Sequence, residues 1–297
     1  MKNKTINLRL NLATNIKRRV DYYFFGRSPA HGVQDQISNK DYTQSELFGS
    51  ASTGIIQLVD HSRFISIKNQ KYTNSCSAHG AATMLEVKLG LLLRMKCTVN
   101  AFTLWNGMLI ADMASEKNGA FLKAPLDYLR IASVPFKTAD GRSGKVKVEF
   151  YYSVEKTFVA VNREINESGA VITGYASFKG LSVASARYRP YVIKDTNEHK
   201  FNGHLMAISG SQKVEKELSC VNPNSYGIYW GDRGYCYTEG RDLNKCFTLY
   251  GASISYVMDE EPNKTLFETM DERLKRIMEW KKSNKGKTIS QRKKITK

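Results

Sequence analysis

Cys76 is followed by His204 and Asn224, 128 and 148 residues further along the chain. A thiol, an imidazole and a carboxamide are the parts of one kind of chemistry. The thiolate, not the thiol, is the attacking species. An imidazole must hold its proton and later deliver it to the leaving group. An amide oxygen can fix the ring's tautomer and direction without adding a second negative charge. Cys76 stands in NQKYTNSCSAHGAATMLE, at the start of a helical pattern, where unpaired N–H groups and the positive end of the helix dipole favour an anion. His204 stands in FNGHLMAISG, between a glycine and an apolar strand, and Asn224 in NPNSYGIYWGDRGYCYT. His79, three residues after Cys76, is the other histidine near the thiol. A base there would leave Asn224 without a role, so helix-face packing is expected of it. His31, His61 and His199 are expected in loops or at the surface, and Cys97, Cys220, Cys236 and Cys246 in the core.

The elements that would position these groups follow from periodicity. Ala78, Ala81, Ala82, Leu85, Leu89 and Leu92 recur at three- and four-residue steps, which predicts a helix from Cys76 to about Arg94. Two more are predicted, from about Ala101 to Glu116 and from about Leu122 to Ala132, with Asn118-Gly119 as the break. After Pro135 the pattern turns to strands: 145–152, 169–178, HLMAISGS, GYCYT and FTLYGASISYV, with one helical interlude over 154–167. A helical half followed by a β half predicts an α+β fold of two lobes sharing a cleft. Residues 1–55 read as an N-terminal arm and 56–258 as the folded domain. Residues 259–297 read as an amphipathic helix, with Leu266, Met270, Leu274, Ile277 and Met278 on one face, followed by a basic tail.

Over about residues 56–258 the sequence resembles the papain-like cysteine proteases. The family's Asn-Gln, six residues before a Ser-Cys that opens a helix, is matched by Asn69-Gln70 and Ser75-Cys76. Its downstream His is matched by His204. Its Asn-Ser-Trp-Gly and Trp-Gly-Asp-x-Gly-Tyr are matched by Asn224-Ser225-Tyr226-Gly227 and by Trp230-Gly231-Asp232-Arg233-Gly234-Tyr235. The separations agree with the roughly 130–150 residues of such enzymes. The resemblance implies a helical N-terminal lobe, a β-barrel-like C-terminal lobe and a cleft between them. It implies a cysteine-type peptidase acting on peptide or protein substrates with no metal or organic cofactor. Cys76 would be the nucleophile, His204 its proton partner and Asn224 the orienting group. Gln70 would share the oxyanion hole with the Cys76 N–H. Gly119 and Ala120 would pair with substrate backbone, and Trp230 would wall the leaving-group side.

The departures from the family are local. Lys71–Asn74 lacks the usual Gly and Cys, Ser77 replaces an aromatic residue, and Ala120 replaces a second Gly. Tyr226 replaces the Trp that shields the Asn–His hydrogen bond. The 55-residue arm is shorter than a typical inhibitory prosegment, which argues against zymogen control. The alternative function is a papain-like fold kept as an assembly component, for instance of a virion. A cysteine amidase cutting cell-wall peptides is a third option, disfavoured by the long helical half.

The net charge of +17 favours an anionic partner, nucleic acid or an acidic surface, and says nothing about fold. Eight Lys or Arg and no acid fall in residues 281–297, which suits an electrostatic tether. Five cysteines, an odd number without CxxC or zinc spacing, suggest reduced thiols and a cytoplasmic location, in a host cell or a virion. If the chain is exported instead, Cys220, Cys236 and Cys246 are close enough in sequence for one bridge. No run of eighteen apolar residues occurs, so no transmembrane helix is expected.

Overall fold

The structure is a computed structural model and describes residues 33–34, 43–44, 56–176, 192–193 and 203–259. In chain order the elements are β1 (Val33–Gln34), α1 (Cys76–Leu93), β2 (Cys97–Val99) and α2 (Ala101–Ile110). They continue with β3 (Ala114–Ser115), β4 (Gly119–Phe121), α3 (Ala124–Ile131), β5 (Val134–Thr138), β6 (Ser143–Val154) and α4 (Phe158–Ser168). The remainder is strand: β7 (Val171–Ala176), β8 (Gly203–Ile208), β9 (Gly210–Val214), β10 (Glu217–Pro223), β11 (Tyr235–Glu239) and β12 (Leu249–Met258). The predicted amphipathic helix and basic tail, His31 and His199 lie outside the described residues.

The helix α1 is the axis of the fold. It is apolar or small on nearly every face, and a helix of that kind must be buried all round. Its two charged residues are neutralised where they lie. Glu86 accepts from Lys68 Nζ at 2.6 Å and from the Val99 and Ser66 N–H groups, and Lys88 Nζ donates to Ser168 O and Oγ. Arg94, with φ of 54°, ends the helix. The helix α2 is capped by Asn100 Oδ1, which accepts from the Phe102 and Thr103 N–H groups. It stops at Ile110, six residues before the predicted end, because Asp112 turns left-handed (φ 54°) into the β3–β4 hairpin. Thr157 caps α4 by accepting from the Ala160 N–H.

The strands form a nine-stranded sheet in the order β2-β5-β6-β12-β7-β8-β1-β4-β3 and a three-stranded sheet β11-β10-β9. The longest pairing, β6 with β12, shifts register at Ser253/Ile254. Two cores result. One packs α1, α2 and α3 with Leu205 and Tyr250. The other packs α4 with Met206, Tyr226, Trp230, Cys220, Cys236 and Cys246. Leu205 and Met206 are successive residues of β8, and alternation along that strand sends them into different cores. β8 is thus the seam between the lobes.

Two features differ from expectation. Strands extend into the helical half through β2, β5 and the β3–β4 hairpin. Part of the arm also joins the folded body: β1 lies between β4 and β8, and Gln44 Nε2 donates to Glu164 Oε2 at 3.1 Å. His61 is a correction. It is buried, with Nε2 3.1 Å from the Ile165 carbonyl, and its pKa is lowered chiefly by desolvation. The Ile165 carbonyl, which also accepts from the Gly169 N–H, gives the inward-turned ring a partner beneath the surface.

Candidate active site

Cys76 is the first residue of α1, as the periodicity predicts. Ser75 precedes it but does not cap the helix through its side chain. Its Oγ is engaged elsewhere, 2.5 Å from Thr73 Oγ1 and 3.1 Å from His79 Nδ1. The Ser75 side chain therefore does not compete for the first N–H groups of α1, where the positive end of the dipole lies beside the sulfur. His79 turns its Nδ1 back on the Ser75 carbonyl (2.8 Å) and sets its ring edge-on to Phe102. It packs the helix face, as expected.

The helix lies directly on the strand that carries His204. A Cβ placed on Gly80, one turn beyond Cys76, would fall 2.0 Å from Leu205 Cδ2 and 3.4 Å from the Met206 carbonyl carbon. Leu205 follows His204, so this contact sets the start of α1 against the start of β8. His204 Nε2 is 2.7 Å from Asn224 Oδ1. An amide oxygen only accepts, so Nε2 carries the proton and Nδ1 is left as the basic nitrogen. Asn224 Oδ1 also accepts from the Ser225 N–H at 2.7 Å, and the Asn224 N–H donates to the Gly234 carbonyl. Both contacts fix the amide's direction.

Gln70 comes to the same place by backbone zipping. Its N–H donates to the Ser225 carbonyl (2.7 Å), Gly227 N–H donates to the Lys68 carbonyl (2.9 Å), and Asn69 bridges to Tyr226. Gln70 Oε1 accepts from Ser225 Oγ at 2.5 Å, and Nε2 commits one hydrogen to the Thr73 carbonyl at 2.7 Å. Tyr226 covers the row. Its ring lies 4.7 Å from the His204 ring and edge-on to Trp230, so it shields the His–Asn bond as the resemblance implies. Its hydroxyl, 3.3 Å from His204 Nδ1, is a contact the sequence reading did not anticipate. The signal was present, since a tyrosine in place of a tryptophan brings a hydroxyl. Trp230 is 2 % exposed and packs on Tyr226, so in this structure it supports the shield instead of presenting a wall to solvent. Nearby, Ile228 is 43 % exposed.

Gly119, with φ of 73°, and Ala120 open β4, the inner strand of the β3–β4 hairpin. The free edge of that strand is taken by the chain itself. Val33 and Gln34 pair parallel with Ala120 and Phe121, and Val33 also pairs antiparallel with Gly203, next to His204. Cys76 and His204 are both wholly buried. The structure brings Gln70, His204 and Asn224 together around the start of α1, with Gly119 and Ala120 on the adjoining edge. All five cysteines are thiols, none in a disulfide. Among the described residues, no helix is long and apolar enough to cross a membrane.

No protein-family model matches the chain, and no curated protein matches it in sequence. Solved structures do match in shape. The proCathepsin B S9 of Trypanosoma congolense superposes with a TM-score of 0.60 at 12% identity, over 76% of this chain and 87% of that one. Digestive procathepsin L2 from Tenebrio molitor larval midgut gives 0.60 at 14% identity, over 85% and 94%. Digestive procathepsin L 3 from the same tissue gives 0.57 at 14%, over 82% and 88%. At such identities the likeness speaks for architecture, and the chain has the two-lobed α+β papain-like fold.

Proposed function

We propose that the chain is a papain-like cysteine peptidase. The observation that carries this reading is the 2.7 Å bond between His204 Nε2 and Asn224 Oδ1, made on a strand packed against the helix that Cys76 opens. His204 Nδ1 would take the proton of Cys76, and the sulfur would attack the peptide carbonyl. The resulting oxyanion would be held by the Cys76 N–H and a Gln70 Nε2–H, where one lost donor costs about 10²–10³ in rate. His204 would return the proton to the leaving amine, giving a thioester on Cys76. It would then deprotonate the water that hydrolyses the thioester and regenerate the thiol.

Substrate would enter by strand addition on the Gly119–Ala120 edge. Because β1 fills that edge and the catalytic row is buried, the form described here is proposed to be latent, with the arm as its occluding segment. The similar solved structures are pro-forms by title, which supports this against the arm-length expectation. Val33→Pro removes a backbone donor from the ladder and is expected to raise cleavage of added peptide about tenfold or more. Unchanged turnover would show that β1 does not occlude the edge. Five buried thiols support a reducing compartment such as the cytoplasm.

The test of the function itself is incubation of the full chain, and of its Val33→Pro variant, with a library of extended peptides read by mass spectrometry. Cleavage with new free carboxylates is expected. No cleavage by either chain would overturn the assignment.

A further inference from the structure

The loop between Gln70 and Cys76 makes several short-range bonds within itself. The Thr73 N–H and Oγ1 donate to the Gln70 carbonyl, Gln70 Nε2 donates back to the Thr73 carbonyl, and Lys71 N–H donates to Asn69 Oδ1. Asn74, two residues before Cys76, does something else. Its Nδ2 donates to the Glu116 carbonyl at 2.7 Å and to the Lys117 carbonyl at 3.0 Å, more than forty residues away. Those carbonyls form the tip of the β3–β4 hairpin, whose inner strand carries Gly119 and Ala120. The bond from Asn118 N–H to Ser115 Oγ is internal to the hairpin; β1 holds β4 from the side of β8, and Asn74 ties the tip to the nucleophile loop.

We infer that Asn74 is a positioning residue that fixes the substrate-binding edge of β4 relative to the sulfur of Cys76. The inference rests on the peptidase reading. Two donors on one planar amide, spread over two successive carbonyls, set both the distance and the tilt of the hairpin. With Asn74 removed, the nucleophile loop keeps its own bonds while the hairpin can shift against it. A peptide paired along β4 would then present its carbonyl off line, and a misplacement of about 1 Å can cost about 10²-fold in rate. A substrate too short to reach β4 would not register the shift.

The experiment compares full-length wild type, Asn74→Ala and Asn74→Gln on two substrates, an extended peptide and a single-residue ester with the same acyl group. Cys76 alkylation by iodoacetamide and thermal unfolding are followed in parallel. The ratio of kcat/KM between extended and short substrates is the readout. The comparison is repeated in the Val33→Pro background, so that a change in how far β1 fills the β4 edge is told apart from a shift of the hairpin. In Asn74→Ala this ratio is expected to fall about 10–100-fold, chiefly through kcat on the extended peptide, with Cys76 alkylation and unfolding unchanged. Asn74→Gln, which keeps the amide, is expected to recover part of the loss. An unchanged ratio overturns the inference. So does an equal loss on both substrates and in alkylation, which would make Asn74 a support of the nucleophile loop alone. If wild type and Val33→Pro cleave neither substrate, the peptidase reading fails first and takes this inference with it. If wild type cleaves both but the ratio is insensitive to Asn74, only the positioning role is lost.

Discussion

Alanine at Cys76 is expected to reduce peptide cleavage by about 10⁴–10⁶-fold, and alanine at His204 by a similar factor. The losses should not add: a sulfur without its proton acceptor and an acceptor without its sulfur are equally idle, so the double variant should resemble either single one. Neither change should unfold the protein. Cys76 sits at a helix start, where alanine is accommodated. His204→Ala leaves the Asn224 amide oxygen, which keeps the Ser225 N–H, and the Tyr226 hydroxyl to be re-satisfied. Asn224→Ala should cost less, because the ring loses its orienting partner but keeps the cover of Tyr226. Steady-state cleavage of an extended peptide by the four variants, in the Val33→Pro background as well as wild type, measures this. Activity of Cys76→Ala within tenfold of wild type would remove the nucleophile from the scheme.

The second large effect concerns stability. Burial raises the pKa of Cys97 to about 11 and of Cys246 to about 12, and it pushes Cys220 and Cys236 well above the ordinary thiol range. Desolvation is the leading cause in each case. For a group whose pKa is raised on folding, the stabilisation is present below the unfolded value, 9.0 for these thiols, and is lost as pH rises toward the folded one. Between pH 9 and 10, Cys220, Cys236 and Cys246 together withdraw roughly 3 kcal/mol. Lys88 works the other way. Its buried ammonium titrates at about 8 instead of 10.5, so stability gains with pH across that interval. One such group offsets only about 1 kcal/mol over the same step. The buried Tyr175 and the half-buried Tyr235 extend the decline above pH 10. The net loss is a large share of the roughly 5–15 kcal/mol that holds a domain together. Under reductant, the urea midpoint is therefore expected to be highest near pH 8 and to fall steeply by pH 10. Cys220→Ala should make the fall shallower. A midpoint that holds or rises to pH 10 would contradict the burial of these thiols.

Much of the site was legible because its residues are tied to element boundaries. Cys76 opens a helix whose apolar repeat is unmistakable, and His204 opens an apolar strand. Asn224 follows β10, in a turn rich in Gly and Asn. Spacing along the chain did the rest. What escaped the sequence is what depends on tertiary contact. β1 is two residues long and carries no alternating pattern, and its pairing is dictated by the two edges it fills, not by its own composition. The short β3–β4 hairpin shortened α2 for the same reason: Asp112 adopts a left-handed turn that periodicity over Ala101–Glu116 does not reveal. His61 looked like a loop histidine because its partner, the Ile165 carbonyl, is 104 residues away. The Tyr226 hydroxyl and the Asn74 amide are polar atoms whose worth lies wholly in where other segments put their acceptors.

The central claim is that Cys76 and His204 act as one unit. The direct measurement is the rate of Cys76 alkylation by iodoacetamide from pH 5 to 9, resolved thiol by thiol by mass spectrometry, in wild type and in His204→Ala. A sulfur whose proton is held by His204 should be labelled at pH 6, where an ordinary thiol of pKa about 8.5 is almost entirely protonated. It should also outpace Cys97, Cys220, Cys236 and Cys246, and His204→Ala should abolish the labelling at pH 6. If Cys76 is instead labelled only above about pH 8, no faster than the other four thiols and indifferent to His204, the unit does not exist.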